Sequence, residues 1–339
     1  MPDTLAADRA PLVADFLDRL GRHDAAVTLL AGDASFRKYY RVATAAHGIE
    51  VLMDAPPEHE DVRPFLHIAR HLTGQGFSAP RILGADEDAG LLLLEDLGDD
   101  TYTRLLAKGD PAEEDLYALA VDTLAALHKV APPADLPRYD LDKLLTEAGL
   151  LVDWAAPALG VDLDFTAKAA YLAAWRDALQ TAFATPQDLV LVLRDYHVDN
   201  LLLLPGRDGV AACGLLDFQD AVLGPAAYDV VSLVEDARRD IDETMAERMV
   251  ARYLAAFPHV DTAAFRTVLT VLGAQRHAKV IGIFTRLCMR DGKPQYLRHI
   301  PRLWRLLHRA FDRDPALAPV RAWFDAHLPP EKRIAPACP

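Results

Sequence analysis

Apolar positions along this chain first keep a helical period, then a strand period, then a helical one again. Leu12, Phe16, Leu17 and Leu20 fall on one helical face, and Gly21 ends the run. Val27-Thr28-Leu29-Leu30, Tyr39-Tyr40-Arg41-Val42 and Ile49-Glu50-Val51-Leu52-Met53 are short β-rich runs parted by Gly, Asp and Ser. They predict an antiparallel meander. Helical spacing returns at Val62, Phe65, Leu66, Ala69 and Leu72, ahead of Gly74 and Gly76. Arg81-Ile82-Leu83 and Leu91-Leu92-Leu93-Leu94 then give two more strands about the polar turn Asp86-Glu87-Asp88.

Beyond Glu95-Asp96-Leu97-Gly98 the pattern is mainly helical. Asp110-Pro111 with Glu113 reads as a helix start, with an N-cap, a proline at the first position and an acidic residue behind it. Leu116, Leu119, Thr123, Leu124 and Leu127 line that helix's buried face, and another helix is expected over residues 165–183. Residues 189–193 and 214–216 are short buried strands, with the apolar run 201–204 between them. From Tyr228, four or more amphipathic helices are expected as far as Leu328. The expected fold is α+β and bilobal. A small antiparallel β lobe spans residues 1–97, a larger mainly helical lobe residues 98–330, and a loose tail residues 331–339.

The 339 residues, 51% hydrophobic and 25% charged, have the composition of an ordinary globular protein of one large or two medium domains. A formal net charge of −14 argues against a general affinity for nucleic acid or anionic membranes. Cys213, Cys288 and Cys338 are far apart, odd in number and in no CxxC pair, so neither a disulfide framework nor a zinc knuckle is indicated. Residues 1–20 carry Asp3, Asp8, Asp15 and Asp18 and lack the basic start and apolar core of a signal peptide. No apolar run approaches the ~20 residues that a membrane-spanning helix needs. A cytoplasmic protein is expected, with neither nucleic acid nor membrane as partner.

The chemistry gathers in Leu193-Arg194-Asp195-Tyr196-His197-Val198-Asp199-Asn200 and Leu215-Leu216-Asp217-Phe218-Gln219-Asp220. A carboxylate after a buried strand, an amide five residues on and a second carboxylate ending a later strand is the order in which kinase-type enzymes assemble a base and a magnesium cradle. Asp195 would orient an acceptor hydroxyl and take its proton. Asn200 and Asp217 would supply oxygens to Mg2+, which prefers few protein ligands. Asp and Asn are also common turn formers. Asp217 on the next strand and the β lobe upstream favour phosphotransfer over that simpler reading. A zinc site from Asp195, His197 and Asp199 lacks a second histidine or a cysteine, and His197 reads as a brace for the loop.

With these residues the chain resembles the aminoglycoside and choline phosphotransferase superfamily, which shares the protein kinase fold. That family's motif runs approximately H-G-D-x-x-x-x-N and then I-D-[FW]. It stands here as Leu193-Arg194-Asp195 to Asn200 and Leu216-Asp217-Phe218. Ala125-Ala126-Leu127-His128 resembles the family's Leu-His helix end, and Ala227-Tyr228-Asp229 its later Tyr-Asp, whose aspartate braces the catalytic loop. The resemblance implies ATP as donor. It implies a nucleotide loop at Gly32-Asp33-Ala34-Ser35-Phe36-Arg37, with Gly32, Ser35 and Phe36 over the phosphates. It also implies adenine contacts from the backbone at Glu95 and Leu97. Two departures stand out: Leu193 replaces the family's histidine, and Val51-Leu52-Met53-Asp54 lacks the phosphate-gripping lysine of the third strand. Arg37, Lys38 or Arg41 are the candidates to supply that charge.

Leu52-Met53-Asp54-Ala55-Pro56-Pro57, Asp217-Phe218-Gln219-Asp220-Ala221, residues 232–240 and residues 275–284 resemble one subgroup. These are the anomeric sugar kinases of bacterial cell-wall recycling, which act on the 1-hydroxyl of N-acetylmuramate and N-acetylglucosamine. The implied substrate is a small amino sugar. Gln219 and Asp220 are the first candidate contacts, and Arg238, Arg239, Arg276 and Lys279 are candidates for a lactyl carboxylate. Residues 236–240 also suit a solvated, self-paired helix face. Two other readings remain at this point: an aminoglycoside or choline-type kinase, and a catalytically inactive nucleotide-binding module.

Overall fold

The computed structural model describes residues 5–6, 8–32 and 36–338. Along the chain come α1 (Ala10–Arg19), β1 (Ala26–Gly32), β2 (Lys38–Thr44), β3 (Gly48–Asp54), α2 (Arg63–Gly74), β4 (Ile82–Asp86) and β5 (Leu91–Glu95). There follow α3 (Tyr102–Lys108), α4 (Glu113–Leu127), α5 (Leu141–Leu150), a π-helical turn (Leu151–Ala155) and α6 (Ala156–Ala158). Next are α7 (Phe165–Ala182), β6 (Leu189–Val192), β7 (Leu201–Leu203), β8 (Cys213–Leu215) and β9 (Val222–Pro225). The last are α8 (Ala227–Val234), α9 (Glu243–Ala255), α10 (Thr262–Met289), α11 (Ile300–Arg313) and α12 (Ala318–His327). Two compact units share these elements: Met1–Thr123 with Val198–Ala221, and Leu124–His197 with Val222–Pro339.

In the first unit five antiparallel strands lie in the order β1-β2-β3-β5-β4. The register sets Tyr40 opposite Leu52 and Leu52 opposite Leu93, so the period of two sorts these strands into two faces. Tyr40, Val42, Leu52, Leu91 and Leu93 form one core with Val13, Phe16 and Leu17 of α1. Tyr39, Val51 and Leu94 alternate to the other face, where they line a cleft.

Two ion pairs fix α1 against that sheet. Glu50 and Asp54 stand four residues apart on β3, hence on one face and about 13 Å apart. Helix α1 rises about 15 Å over its ten residues. Arg9, before the helix, donates to Asp54 at 2.6 Å, and Arg22, after it, donates to Glu50 at 2.7 Å. The helix and the strand therefore match in length between their two clamps.

The same unit holds the β7–β8 hairpin, in which Leu201 faces Leu215 and Leu203 faces Cys213. Gly214 lies where a Cβ would come within 3.2 Å of Leu202 Cβ. Bridges from Ser78 to Gly214 and from Thr101 to Leu202 tie the hairpin to the rest of the unit.

In the second unit β6 pairs antiparallel with β9, and the helices pack around α10, which touches α5, α7, α8 and α11. Asp261 caps α10 by accepting from the N–H groups of Ala263 and Ala264. Gly282 matters to this packing, because a Cβ there would stand 2.4 Å from the Leu150 carbonyl carbon. Near the end of the chain, buried Arg333 donates to Leu328 O and to Asp325, and Trp304 donates to Ile334 O. Among the described residues no helix is long and apolar enough to cross a membrane.

The predicted strands and long helices are present, with one boundary corrected. Helix α4 starts at Glu113, not at Pro111. Its first turn holds Glu113, Glu114 and Asp115, which complement the positive end of the helix dipole. In an Asp54→Ala variant Arg9 would lose its charged partner among the described residues, so that variant should lose about 3–5 kcal/mol. Arg9→Met with Asp54→Leu should lose much less. Urea unfolding midpoints of the three proteins test this, and equal losses would contradict it.

Candidate active site

The β7–β8 register brings two of the sequence's candidates together. The Leu216 N–H donates to Asn200 O at 2.9 Å, so Asp217, one residue on, emerges beside Asn200. Asn200 Nδ2 lies 3.4 Å from Asp217 Oδ2, and Gln219 Nε2 donates to Asp217 Oδ1 at 2.8 Å. Asp217 has φ 58°, a left-handed conformation that costs an aspartate energy and tends to persist where function needs it. The next residue, Phe218, is fully buried against Phe65, with ring centroids 4.9 Å apart. Packing on one side and the hairpin on the other hold Asp217 in that conformation.

Asn200 and Asp217 sit at the polar end of a cleft of about 290 Å3. Tyr39, Val51, Leu94 and Leu202 give it apolar walls, and residues 95–98 form its rim. The Glu95 carboxylate is engaged by Arg207 at 2.7 Å and Arg81 at 3.1 Å. That engagement leaves the main chain of the rim as its recognition element. The cleft suits a flat, largely apolar ring with polar edges, followed by an anionic tail running toward Asp217.

Of the three cations named for the missing third-strand lysine, Arg37 is the one at the site. It is buried, with Nη2 3.3 Å from Asp217 Oδ1. Arg41 is committed elsewhere, to Asp96 at 2.8 Å and Asp99 at 2.9 Å, and those carboxylates raise its pKa. Lys38 opens β2 opposite Gly32 and is exposed. Exposed Phe36 stacks on His59 at 4.3 Å, and its N–H donates to Glu60. Ser35 lies outside the described residues.

The donor set of Asn200 and Asp217, one carboxamide and one carboxylate, is hard and oxygen-rich. Among the described residues no three His, Cys, Asp or Glu side chains gather as a metal site. Two oxygens at the polar end of a cleft, with the Arg37 guanidinium beside them, fit a magnesium ion, which keeps most of its shell for water and phosphate.

In the second unit, Asp195 ends a turn that two devices hold. Asp229 of α8 is wholly buried and accepts from the Leu193 N–H at 2.6 Å and the Arg194 N–H at 2.9 Å. Burial pushes its pKa up to about 7, against the lowering effect of those two hydrogen bonds. Arg194 has φ 70°, and its guanidinium donates to Glu147 of α5. Burial would raise the Glu147 pKa, but the Lys279 and Arg194 cations outweigh that and hold it below the usual range.

His197 is buried, and burial first, then Arg238 and Arg276, drives its pKa well down, so the imidazole is neutral. The neutral His128 ring, brought to about 3 by burial, meets the Tyr253 hydroxyl at 2.7 Å. Both fit braces.

The sugar-contact candidates fall in different surroundings. Asp220 is exposed, while Gln219 attends Asp217. Arg238 is half-buried beside the fully buried Asp236, and Arg276 is buried nearby in the same unit. Lys279 is buried, 2.9 Å from Glu147 and 3.2 Å from the Tyr228 hydroxyl. Glu147 and Arg194 have no assigned role in the sequence pattern, and Asp236, expected on a solvated helix face, is instead fully buried and outside any helix. Arg194 carried a signal, since it stands where the family motif has glycine; Glu147 carried none.

Comparison with known proteins decides the family. Residues 26–266 match the profile of the phosphotransferase enzyme family. The chain belongs to that family. The N-acetylmuramate/N-acetylglucosamine kinase of Caulobacter vibrioides is 39% identical, covering 97% of this chain and 99% of the relative. The Pseudomonas aeruginosa protein of that name is 42% identical over 85% of this chain and 84% of its own. Among solved structures, a choline/ethanolamine kinase family protein from Mesorhizobium loti has TM-score 0.62 at 17% identity, covering 93% of this chain and 99% of its own. An ethanolamine kinase from Plasmodium vivax has TM-score 0.64 at 12% identity, covering 87% and 85%. The fold of this phosphotransferase is thus the α+β, protein-kinase-like fold of those enzymes, and the chain is a kinase-type enzyme.

The phosphotransferase should show the buried carboxyl of Asp229 in its stability. The native state keeps this proton to about pH 7, while an ordinary carboxyl releases it near 3.8. Between those values the unfolded chain binds fewer protons, so this group's contribution to stability falls as pH rises. The stability of the wild type relative to Asp229→Asn, from urea midpoints, should be lower at pH 7.5 than at pH 4.5. A difference that is flat or grows with pH would contradict the assignment.

Proposed function

We propose that this enzyme is an ATP- and magnesium-dependent kinase of N-acetylmuramate and N-acetylglucosamine. It phosphorylates the anomeric 1-hydroxyl and serves the recycling of cell-wall sugars in the cytoplasm. The observation that carries this reading is 39% identity over 97% of the chain to a kinase named for both sugars. Relatives of the same name at 37–42% identity support it.

The residues divide the work as follows. The apolar walls at Tyr39, Val51, Leu94 and Leu202 take the adenine, with main-chain groups at Glu95 and Leu97 for its edge. Arg37 serves as the phosphate-gripping cation that β3 lacks, since a buried guanidinium makes a rigid, bidentate partner for phosphate oxygens. Gly32, Ser35, Phe36 and Lys38 belong to the turn that covers the phosphates. Asn200 and Asp217 hold the magnesium, with Gln219 orienting Asp217. When bound, that ion neutralises charge on the phosphate oxygens as transfer proceeds.

Asp195 accepts a hydrogen bond from the sugar hydroxyl, aims the oxygen and takes its proton late in transfer. Gln219, Asp220, Arg238 and Arg276 are the sugar contacts. Arginine suits the lactyl carboxylate that distinguishes the muramyl sugar. Lys279, already held by Glu147, belongs with the scaffold of the loop.

A panel of N-acetylmuramate, N-acetylglucosamine, kanamycin and choline, read by coupled ADP release, tests the substrate. Turnover of the two amino sugars is expected; turnover of kanamycin or choline alone would overturn the choice. On the preferred sugar, Asp195→Ala should lower kcat by about 10²–10⁴ with KM for ATP little changed. Arg37→Met should instead raise KM for ATP at least about tenfold, as loss of a charge-assisted contact to phosphate does. A normal KM in that variant would leave the phosphate charge without a source.

A further inference from the structure

A buried charge cluster stands directly behind the residue that precedes Asp195. Glu147 of α5 accepts from Arg194 Nη2 and from the Tyr139 hydroxyl, and meets Lys279 Nζ of α10 at 2.9 Å. Lys279 also donates to the Tyr228 hydroxyl at 3.2 Å. The Arg194 guanidinium lies 5.5 Å from the centre of the Tyr139 ring, itself edge-on to Tyr228 at 4.9 Å. Every charged side chain here is 15% exposed or less.

Such a cluster is a poor device for stability alone. Two cations and one carboxylate out of water lose more hydration than they regain, and apolar side chains of like volume would serve as well. What charges supply is a single geometry, and the backbone shows where that geometry is spent. Arg194 sits at φ 70°, which its side chain disfavours. Its own N–H goes to Asp229, and its carbonyl accepts from Ser232 Oγ at 3.3 Å. Leu193, the apolar residue before it, gives its N–H to Asp229, and its carbonyl accepts from the Asp195 N–H at 2.9 Å.

Helix packing is shaped to the same end. Gly282 lets α10 approach the Leu150 carbonyl closely, and one turn back along each helix stand Lys279 and Glu147.

We infer that Glu147 and Lys279 are positioning residues for phosphoryl transfer: acting through Arg194, they set the rotation of the peptide that carries Asp195. This rests on Asp195 as the group that aims the sugar hydroxyl, and a displacement of about 1 Å there is enough to slow transfer about 10²-fold.

The test is steady-state kinetics with ATP and N-acetylmuramate on the full-length enzyme. Glu147→Gln and Lys279→Met should each lower kcat at least about tenfold while KM for ATP stays within about twofold, since the lost effect belongs to the transition state. Lys279→Arg, which keeps the charge, should recover most of that loss. Arg194→Gly guards against misfolding: glycine is at ease at this φ and Glu147 keeps Lys279 as a partner, so the variant should retain a native circular dichroism spectrum yet lose turnover. In Arg194→Gly the further change Glu147→Gln should cost less than about twofold, because the path it acts through is gone.

Independent, multiplying losses from Arg194→Gly and Glu147→Gln would overturn the inference. So would undiminished kcat in both, or a change confined to KM for ATP. Asp195→Ala, run alongside, separates the two levels: normal turnover there removes the role of Asp195 itself, whereas its collapse with unaffected Glu147 and Arg194 variants removes only the positioning role.

Discussion

A carboxyl group shut away from water carries the turn that leads into Asp195. Asp229 takes the N–H groups of Leu193 and Arg194, two donors that no strand partner satisfies at the end of β6. A buried N–H without an acceptor is costly, so the turn has one conformation of low energy. Once those two amides are fixed, Arg194 is committed to a left-handed φ and Asp195 follows in a defined direction. The Glu147 cluster and Ser232 then act on a loop whose path is already set.

The first unit reaches a similar result by a different route. There the β7–β8 register, not a buried acid, brings Asn200 beside Asp217. Burial of Phe218 against Phe65 keeps Asp217 turned outward at a second left-handed φ. Asp217 and Asp195 thus stand at or just beyond strained backbone, each held by a buried neighbour. The arrangement accords with strain concentrating at functional sites and being offset by packing around them.

Sequence made the local parts of this picture legible. Asp195, Asn200 and Asp217 are separated by short loops and flanked by obvious apolar strands, so spacing alone suggested their relation. The meander was equally plain, because its alternation is a matter of neighbouring residues. Helix α3 and helix α5 are not evident in the apolar pattern; each starts at a capping side chain, Thr101 or Asp140, of a residue type that also suits a loop. The α4 start was misplaced because a sequence that suits a cap also suits a turn. Glu147 was invisible for a stronger reason. Its charged partners lie 47 residues away at Arg194 and further still at Lys279, and nothing within its own helix distinguishes it from a surface acid. The same holds for Arg9 and Asp54, whose pairing exists only once α1 lies on the sheet.

The account joins a kinase-like site to one acceptor oxygen, and the product reports on that oxygen. The most direct measurement is phosphorus–proton correlation NMR of the product formed from N-acetylmuramate and ATP. Phosphorus coupled through three bonds to the anomeric proton is the expected result. Phosphorus coupled to the C6 protons, or transfer only to an aminoglycoside added in competition, would contradict it.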